Sequence, residues 1–254
     1  MARLRYRGRL PQQELRPVRW APLHVELEGT VNTRDLGGWP LAGGGRTRAG
    51  RLWRSDAFTY ATEADRDTLA RHGLRFVVDL RTDAERDTAP GALTTDARFE
   101  VLPVDLFAAV GAAIDRGEVV GDPFDLRTRY RASLAFAREG YRAAFARLTE
   151  ALAASDGPVA FHCSAGKDRT GLVAALLLRA AGVPEEAIVE DYLLTDGRIA
   201  GLRPQLLADG IALGFPAEGY ARMLEARSEN LLDALERFDD ELIGFAAPAA
   251  AALR

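Results

Sequence analysis

Residues 162–171 read HCSAGKDRTG, and the segments on either side predict how this stretch is held. The run VAFH at 159–162 is short and largely apolar, as in a buried strand. Residues 172–181 are apolar almost without interruption, as in a helix that is buried on all sides. We therefore predict a strand, a loop and a buried helix, with the loop at the carboxyl end of the strand, where α/β proteins bind ligands.

Short apolar runs and helical patterns alternate along the rest of the chain. We predict strands at 75–80 and 99–104, and helices at 62–72, 125–154 and 185–194. Such an alternation indicates an α/β fold in which helices flank a central, mostly parallel sheet.

The two ends of the chain carry weaker patterns. The first 30 residues are predicted to form extended segments, and residues 214–216 are predicted to break a helical region. The alanine-rich stretch at 243–253 contains Pro248, and we expect it to be a frayed or loosely packed terminus.

Length and composition favour one soluble domain that spans residues 1–254, since 48% of the residues are apolar and 28% are charged. The net charge of −4 and the absence of a basic tract argue against a nucleic-acid partner. The longest apolar run, at 172–178, is too short to span a bilayer, so no integral membrane segment is expected. No secretory signal is visible, which favours a cytoplasmic location and leaves non-classical secretion open. The oligomeric state is left open as well.

The central loop combines a nucleophile with an anion-binding side chain. Five residues separate Cys163, the only cysteine, from Arg169. A thiol just before a helix N-terminus loses its proton more easily, and the thiolate is the nucleophilic form. Backbone N–H groups of the loop can surround phosphate oxygens, and a guanidinium can bind two of them. The candidate phosphate-binding residues are Ser164, Ala165, Gly166, Lys167, Asp168 and Arg169.

Two neighbours of this loop have supporting roles in the prediction. The Thr170 hydroxyl is close enough in sequence to hydrogen-bond the sulfur of Cys163, and His162 can fix the loop. A nucleotide-binding P-loop is excluded, because Asp168 follows the lysine where that motif needs Ser or Thr. A single cysteine also excludes an intramolecular disulfide and a cysteine-based zinc cluster.

Taken together, these residues resemble the protein tyrosine phosphatase superfamily, whose loop has the pattern Cys-x5-Arg. The fuller pattern is similar to the bacterial branch typified by mycobacterial protein tyrosine phosphatase B. The motifs that carry the resemblance are NTRDLGG at 32–38, RSDAF at 54–58, VVDLRT at 77–82 and AGKDRTG at 165–171.

The resemblance implies a phosphatase-like fold, a phospho-cysteine intermediate on Cys163, and no metal or other cofactor. It also implies a helical lid over the site. The candidate lid segments are 106–150 and 195–240, and simple core packing is an equally good interpretation of both.

A general acid must protonate the leaving group in such a reaction. Tyrosine phosphatases usually carry this aspartate in a Trp-Pro-Asp loop, whereas here Leu41 follows the Trp-Pro pair. Asp168, inside the loop, is the favoured candidate, and the resemblance supports it. Asp105, after a predicted strand, is the alternative, and Asp79 is interpreted as an acceptor for loop N–H groups or a partner for an arginine.

The expected partner is a phosphorylated substrate. Phosphotyrosine in a protein is favoured, and phosphoserine, phosphothreonine and phosphoinositides stay open, since Lys167 adds a cation to the loop. The rival hypotheses are a phosphate-binding module without catalysis and an arsenate reductase. The second needs further cysteines for thiol exchange, which this chain lacks.

Overall fold

The computed structural model describes residues 23–122, 124–212 and 215–254. Most of the predicted extended N-terminal region, and Gly214 of the predicted break, therefore lie outside the described residues. Five strands form one sheet: β1 (Arg34–Asp35), β2 (Leu52–Ser55), β3 (Phe76–Asp79), β4 (Glu100–Pro103) and β5 (Val159–His162).

The strand order is β1-β2-β5-β3-β4. Neighbouring strands are parallel throughout except for β1, which pairs antiparallel with β2 at the edge. The mostly parallel sheet predicted from the sequence is thus confirmed. In this register Ser55, His162 and Asp79 lie side by side at the carboxyl ends of three adjacent strands. The loop that begins at Cys163 therefore leaves the sheet from its central strand.

The described residues include helices on both sides of this sheet. They are α1 (Glu63–Arg71), α2 (Asp83–Thr88), α3 (Ala108–Asp115), α4 (Leu126–Phe136), α5 (Arg138–Ala153), α6 (Asp168–Ala181), α7 (Glu185–Arg198), α8 (Arg203–Ala212), α9 (Ala217–Met223), α10 (Ser228–Leu235) and α11 (Asp240–Ala250).

The alanine-rich C-terminal stretch was predicted to fray, and this prediction is wrong. It forms α11, which packs against α5 and α6 and buries Leu242, Ala246 and Ala249 completely. Small side chains let helices approach closely, so alanine on this face supports packing instead of weakening it. Pro248 lies in the last turn of α11, where its missing N–H removes one hydrogen bond of the helix but little helix remains to be disturbed.

The single helix predicted over 125–154 is two helices, with a break at Ala137. The periodicity continues across the break, so the sequence pattern alone did not reveal it. The two parts bury their apolar faces against different partners: α4 packs on α10, whereas α5 packs on β3, β5 and α11. One straight helix could not serve both surfaces.

The two candidate lid segments differ in how deeply they enter the fold. Within 106–150, α5 buries Tyr141, Phe145 and Leu148, and α4 buries Tyr130 and Leu134, so both are core helices. Within 195–240, α8 and α9 pack on each other, and α10 packs on α4, α6 and α7. A lid in either segment stays a prediction.

A buried ion cluster joins the edge of the sheet to α7. Asp191 accepts from Arg34 Nε at 2.9 Å and from Arg54 Nη1, and all three side chains are almost completely buried. Burial alone would raise the pKa of Asp191, but the charges of Arg34 and Arg54 lower it below its ordinary value. Asp191 therefore stays ionised and balances two guanidinium groups that water cannot reach.

We expect Asp191→Asn to lower the free energy of unfolding by about 3–5 kcal/mol, because it leaves two buried guanidinium groups without a counter-charge. The measurement is equilibrium urea unfolding. The matched control is Glu218→Gln, which removes a carboxylate that is 90% exposed from an ion pair with Arg222 and is expected to change the free energy by less than about 0.5 kcal/mol. Equal effects of the two substitutions would contradict a structural role for the buried cluster.

Candidate active site

The loop after β5 turns sharply at Gly166, which has a φ of +66°. A Cβ at this position would lie 2.4 Å from the carbonyl oxygen of Ser55 and 2.7 Å from the amide nitrogen of Asp56. Both the backbone angle and the close approach therefore require glycine. Cys163 is 2% exposed and begins the loop, which leads into α6 at Asp168.

Three carbonyl groups of the loop accept hydrogen bonds from residues outside the loop. Asn32 Nδ2 donates to the carbonyl oxygens of Ala165 and Gly166, each at 3.1 Å, and Arg54 Nη2 donates to that of Gly166 at 2.8 Å. The backbone N–H of Ala57 donates to Ser164 O at 2.9 Å. In a planar trans peptide, N–H points opposite to C=O, so the N–H groups that follow these carbonyls face the other side of the loop. N–H groups that face one side of a loop in this way are able to bind an anion.

Arg169 is held by a carboxylate that sequence reasoning missed. Glu85, in α2, accepts from Arg169 Nη1 at 2.6 Å and Nη2 at 2.7 Å, and from Ser164 Oγ at 2.6 Å. Burial alone would raise the pKa of Glu85, but these hydrogen bonds and the charge of Arg169 lower it to about 2. The sequence signal was the capping box that begins at Thr82, which fixes Glu85 at the third position of α2.

Glu85 occupies only one edge of the guanidinium. Nη1 also donates to Leu80 O at 3.3 Å, so both of its hydrogens are used. Within the described part of the chain, Arg169 Nε and the second hydrogen of Nη2 have no hydrogen-bond partner. The Nε/Nη2 edge is therefore available for two oxygens of an anion.

Asp168 lies at the start of α6 with two donors on one of its oxygens. Oδ1 accepts from the Tyr130 hydroxyl and from Lys167 Nζ, both at 2.6 Å. Lys167 was predicted to place its charge beside the bound phosphate, and the structure directs its ammonium to Asp168 in a buried position. Burial alone would lower the pKa of Lys167, but Asp168, Tyr192 and Cys163 raise it, so the lysine stays charged. Nothing in the sequence pattern indicated Tyr130 or Tyr192 near this site.

His162 and Asp79 lie beneath the loop. His162 Nδ1 is 2.9 Å from the carbonyl oxygen of Cys163, as expected of a residue that fixes the loop. Burial lowers the pKa of His162, which keeps the ring neutral at pH 7. Asp79 binds Arg81 through both carboxylate oxygens and accepts from its backbone N–H at 3.0 Å. This geometry corresponds to the arginine-partner interpretation of Asp79.

The remaining predicted residues are Asp105, the alternative general acid, and Thr170, the predicted hydrogen-bond partner of the Cys163 sulfur. Asp105 Oδ1 accepts from the backbone N–H groups of Phe107 at 2.9 Å and Ala108 at 2.8 Å, so it caps the start of α3. Thr170 Oγ1 is buried, and no described residue gives it a hydrogen bond, so the predicted contact with the sulfur of Cys163 is not formed here.

An aromatic residue and a second arginine lie beside the loop. The Arg169 guanidinium carbon is 5.8 Å from the centre of the Phe107 ring, and that of Arg129 is 5.7 Å from the same centre. Burial lowers the pKa of Arg129, while the negative charge of Asp168 opposes this shift. Two cations therefore share the surroundings of Phe107.

The described residues set limits on other kinds of site. Between residue 23 and residue 254, apart from the undescribed positions, no three His, Cys, Asp or Glu side chains are grouped as metal ligands would be. In the same part of the chain, none of the helices combines the length and the apolar character that crossing a bilayer requires.

Comparisons with known proteins agree with this geometry. Residues 25–251 match the model of the tyrosine phosphatase family. A Cupriavidus necator protein provisionally named a tyrosine-protein phosphatase is 37% identical over 223 residues, covering 82% of this chain and 76% of its own length. The triple specificity protein phosphatase PtpB of Mycobacterium tuberculosis is 33% identical over 204 residues, covering 71% of this chain and 72% of its own.

Among solved structures, that of Pseudomonas aeruginosa TpbA in complex with phosphotyrosine covers 91% of this chain and 96% of its own at 18% identity. Its TM-score of 0.38 is too low to support an argument about this protein. The family match spans nearly the whole described chain and includes the loop with Cys163 and Arg169. The chain therefore belongs to the tyrosine phosphatase family and is a phosphoric monoester hydrolase.

Proposed function

We propose that this protein is a cysteine-dependent phosphatase that hydrolyses phosphotyrosine in proteins through a phospho-cysteine on Cys163. One observation carries the proposal. The carbonyl groups of the loop are bonded to residues outside it, Cys163 lies near enough to Arg169 and Lys167 for its charge to act on both, and the Nε/Nη2 edge of Arg169 is unused in the described part of the chain. A phosphate dianion suits such a site because the loop N–H groups and the guanidinium offer hydrogen bonds and positive charge.

In the first step, the thiolate sulfur of Cys163 attacks phosphorus. The S–P bond forms as the bond from phosphorus to the leaving oxygen breaks, and a proton passes to that oxygen from Asp168. Arg169 and the loop N–H groups stabilise the charge on the three phosphoryl oxygens, and Glu85 holds Arg169 in orientation.

In the second step, a water molecule attacks phosphorus and gives its proton to the carboxylate of Asp168. The S–P bond breaks, inorganic phosphate forms, and the thiolate of Cys163 is restored. Every bond change is accounted for by these groups and water, so the proposed cycle uses no metal ion.

Asp168 is preferred over Asp105 as the general acid because of its position. Both carboxylates use only Oδ1 in their described hydrogen bonds, so that pattern does not separate them. Asp105 caps α3, whereas Asp168 directly follows the loop at the start of α6 and its side chain is 40% exposed. Proton transfer to a bound substrate needs an accessible oxygen within hydrogen-bonding reach.

The first experiment is hydrolysis of a phosphotyrosine peptide in the presence of EDTA, with wild-type protein and Cys163→Ser. We expect the wild type to be active and the variant to lose activity by about 10³-fold or more, since the nucleophile is removed. Binding of the peptide to the folded variant should persist. A wild-type protein that is folded and reduced, binds the peptide and does not hydrolyse it would instead indicate a phosphate-binding module.

The general acid is tested by Asp168→Asn with two substrates of different leaving group. We expect turnover of phenyl phosphate to fall by about 10²-fold or more, and turnover of nitrophenyl phosphate to fall much less, because nitrophenolate leaves without a proton. The matched control is Asp105→Asn, for which the ratio of the two rates should stay near the wild-type value. The reverse outcome would assign the acid to Asp105.

A broader specificity is a second proposal, and Arg129 is the observation that favours it. A second cation near Phe107 can bind an additional phosphate beside the one held by Arg169. The name of one relative, a triple specificity protein phosphatase, also supports a broader substrate specificity. We infer that phosphoinositides with two or more phosphates, and phosphoserine or phosphothreonine next to other acidic groups, are further substrates.

Arg129→Gln should lower kcat/KM for a soluble bisphosphorylated phosphoinositide by about tenfold, through loss of one charge-assisted hydrogen bond. The kcat/KM for a monophosphate such as nitrophenyl phosphate should change little. Arg127→Gln is the matched control, because this arginine lies on the same helix, is 51% exposed and pairs with Asp125. Equal losses on both substrates would remove Arg129 from recognition of a second phosphate.

A further inference from the structure

We propose that Tyr130 is a positioning residue that orients Asp168 and confines its transferable proton to Oδ2. This inference rests on the proposed role of Asp168 as the general acid. Its basis is the arrangement of hydrogen bonds on the two carboxylate oxygens.

Oδ1 of Asp168 has no capacity left for a proton. A carboxylate oxygen has two lone-pair directions, and Tyr130 Oη and Lys167 Nζ donate to Oδ1, each at 2.6 Å. In the described part of the chain, Oδ2 takes part in no hydrogen bond. A proton on Asp168 is therefore placed on Oδ2.

The hydrogen bonds around Tyr130 have one consistent direction. Its hydroxyl has a single hydrogen, which is donated to Asp168. Tyr192 Oη lies 2.8 Å from Tyr130 Oη, so Tyr192 must be the donor of that pair. The chain thus runs from Tyr192 through Tyr130 to Asp168, and bonds in such a chain strengthen one another.

The residues bonded to Oδ1 of Asp168 are buried, whereas Asp168 itself is partly exposed. Tyr130 is 2% exposed, Tyr192 and Lys167 are each 1% exposed, whereas the Asp168 side chain is 40% exposed. The two rings also meet edge to face, with centroids 6.5 Å apart. Oδ1 is therefore fixed against the core, and the other oxygen is turned toward the open side, where a leaving group would lie.

The same contacts support the second half of the catalytic cycle. Once the leaving group has gone, Asp168 must act as a carboxylate that accepts a proton from water. Two hydrogen bonds to Oδ1 stabilise that charged form without blocking Oδ2. The titratable and charged groups that act on Asp168 are its chain neighbours Lys167 and Arg169, Arg129 and Tyr130 from α4, and Tyr192 from α7.

The test is Tyr130→Phe, assayed with phenyl phosphate and nitrophenyl phosphate. We expect kcat for phenyl phosphate to fall by about tenfold, while kcat for nitrophenyl phosphate falls by less than about twofold. A merely structural role of Tyr130 would instead lower kcat for both substrates alike. The matched control is Tyr141→Phe, which removes another buried hydroxyl, bonded to Ser133 at 2.9 Å, and should change neither readout.

A second variant keeps the proposal testable if Tyr130→Phe does not fold. Tyr130→Phe combined with Tyr192→Phe removes both partners of the buried hydroxyl pair, so no hydroxyl is left unpaired, and the same leaving-group signature is expected. A wild-type ratio of the two rates in both variants, with a strong leaving-group effect in Asp168→Asn, would overturn the role of Tyr130 alone. An Asp168→Asn variant without a leaving-group effect would overturn the general-acid assignment and this inference together.

Discussion

The proposed active-site loop depends most directly on Arg54, which connects it to the buried charges of the fold, and Asn32, itself bonded to Arg34, makes a second connection. Arg54 pairs with Asp191 through Nη1 and donates to the carbonyl oxygen of Gly166 through Nη2. A buried guanidinium is stable only with a counter-charge, and Asp191 supplies it from α7. The orientation of the Gly166 carbonyl, and thus of the N–H that follows it, is therefore set by an ion pair that never reaches solvent.

That constraint explains why two arginines of the sequence motifs are structural. Arg34 and Arg54 are 0% exposed, and both are engaged with Asp191, so neither can touch a substrate. Their positive charges still lie behind the loop and favour an anion in front of it. Since the proposed anion site consists of backbone N–H groups, its affinity for an anion depends on how rigidly that backbone is positioned.

The sequence predicted the chemistry of the loop better than its surroundings. The β5-loop-α6 unit could be predicted because its signals are local: an apolar strand, a glycine and a buried helix. Glu85 and Tyr130 could not be assigned, because their contacts to Arg169 and Asp168 cross 84 and 38 residues of chain and arise only on folding. The C-terminal helix was missed for a related reason, since alanine is a weak hydrophobic signal until a neighbouring helix covers it.

Placing the proposed general acid on α6 changes what a lid can do. Asp168 follows the loop directly, so nucleophile, anion-binding backbone and acid lie within the segment from Cys163 to Arg169. Where the acid lies on a separate mobile loop, closure assembles the catalytic groups and limits the rate of the chemical step. Here Asp168 is held by Tyr130 and Lys167 without any such closure. Movement of α8–α9 would therefore alter access of substrate and water to the site and leave the geometry of proton transfer unchanged, whereas movement of α4 would displace Tyr130 from Asp168.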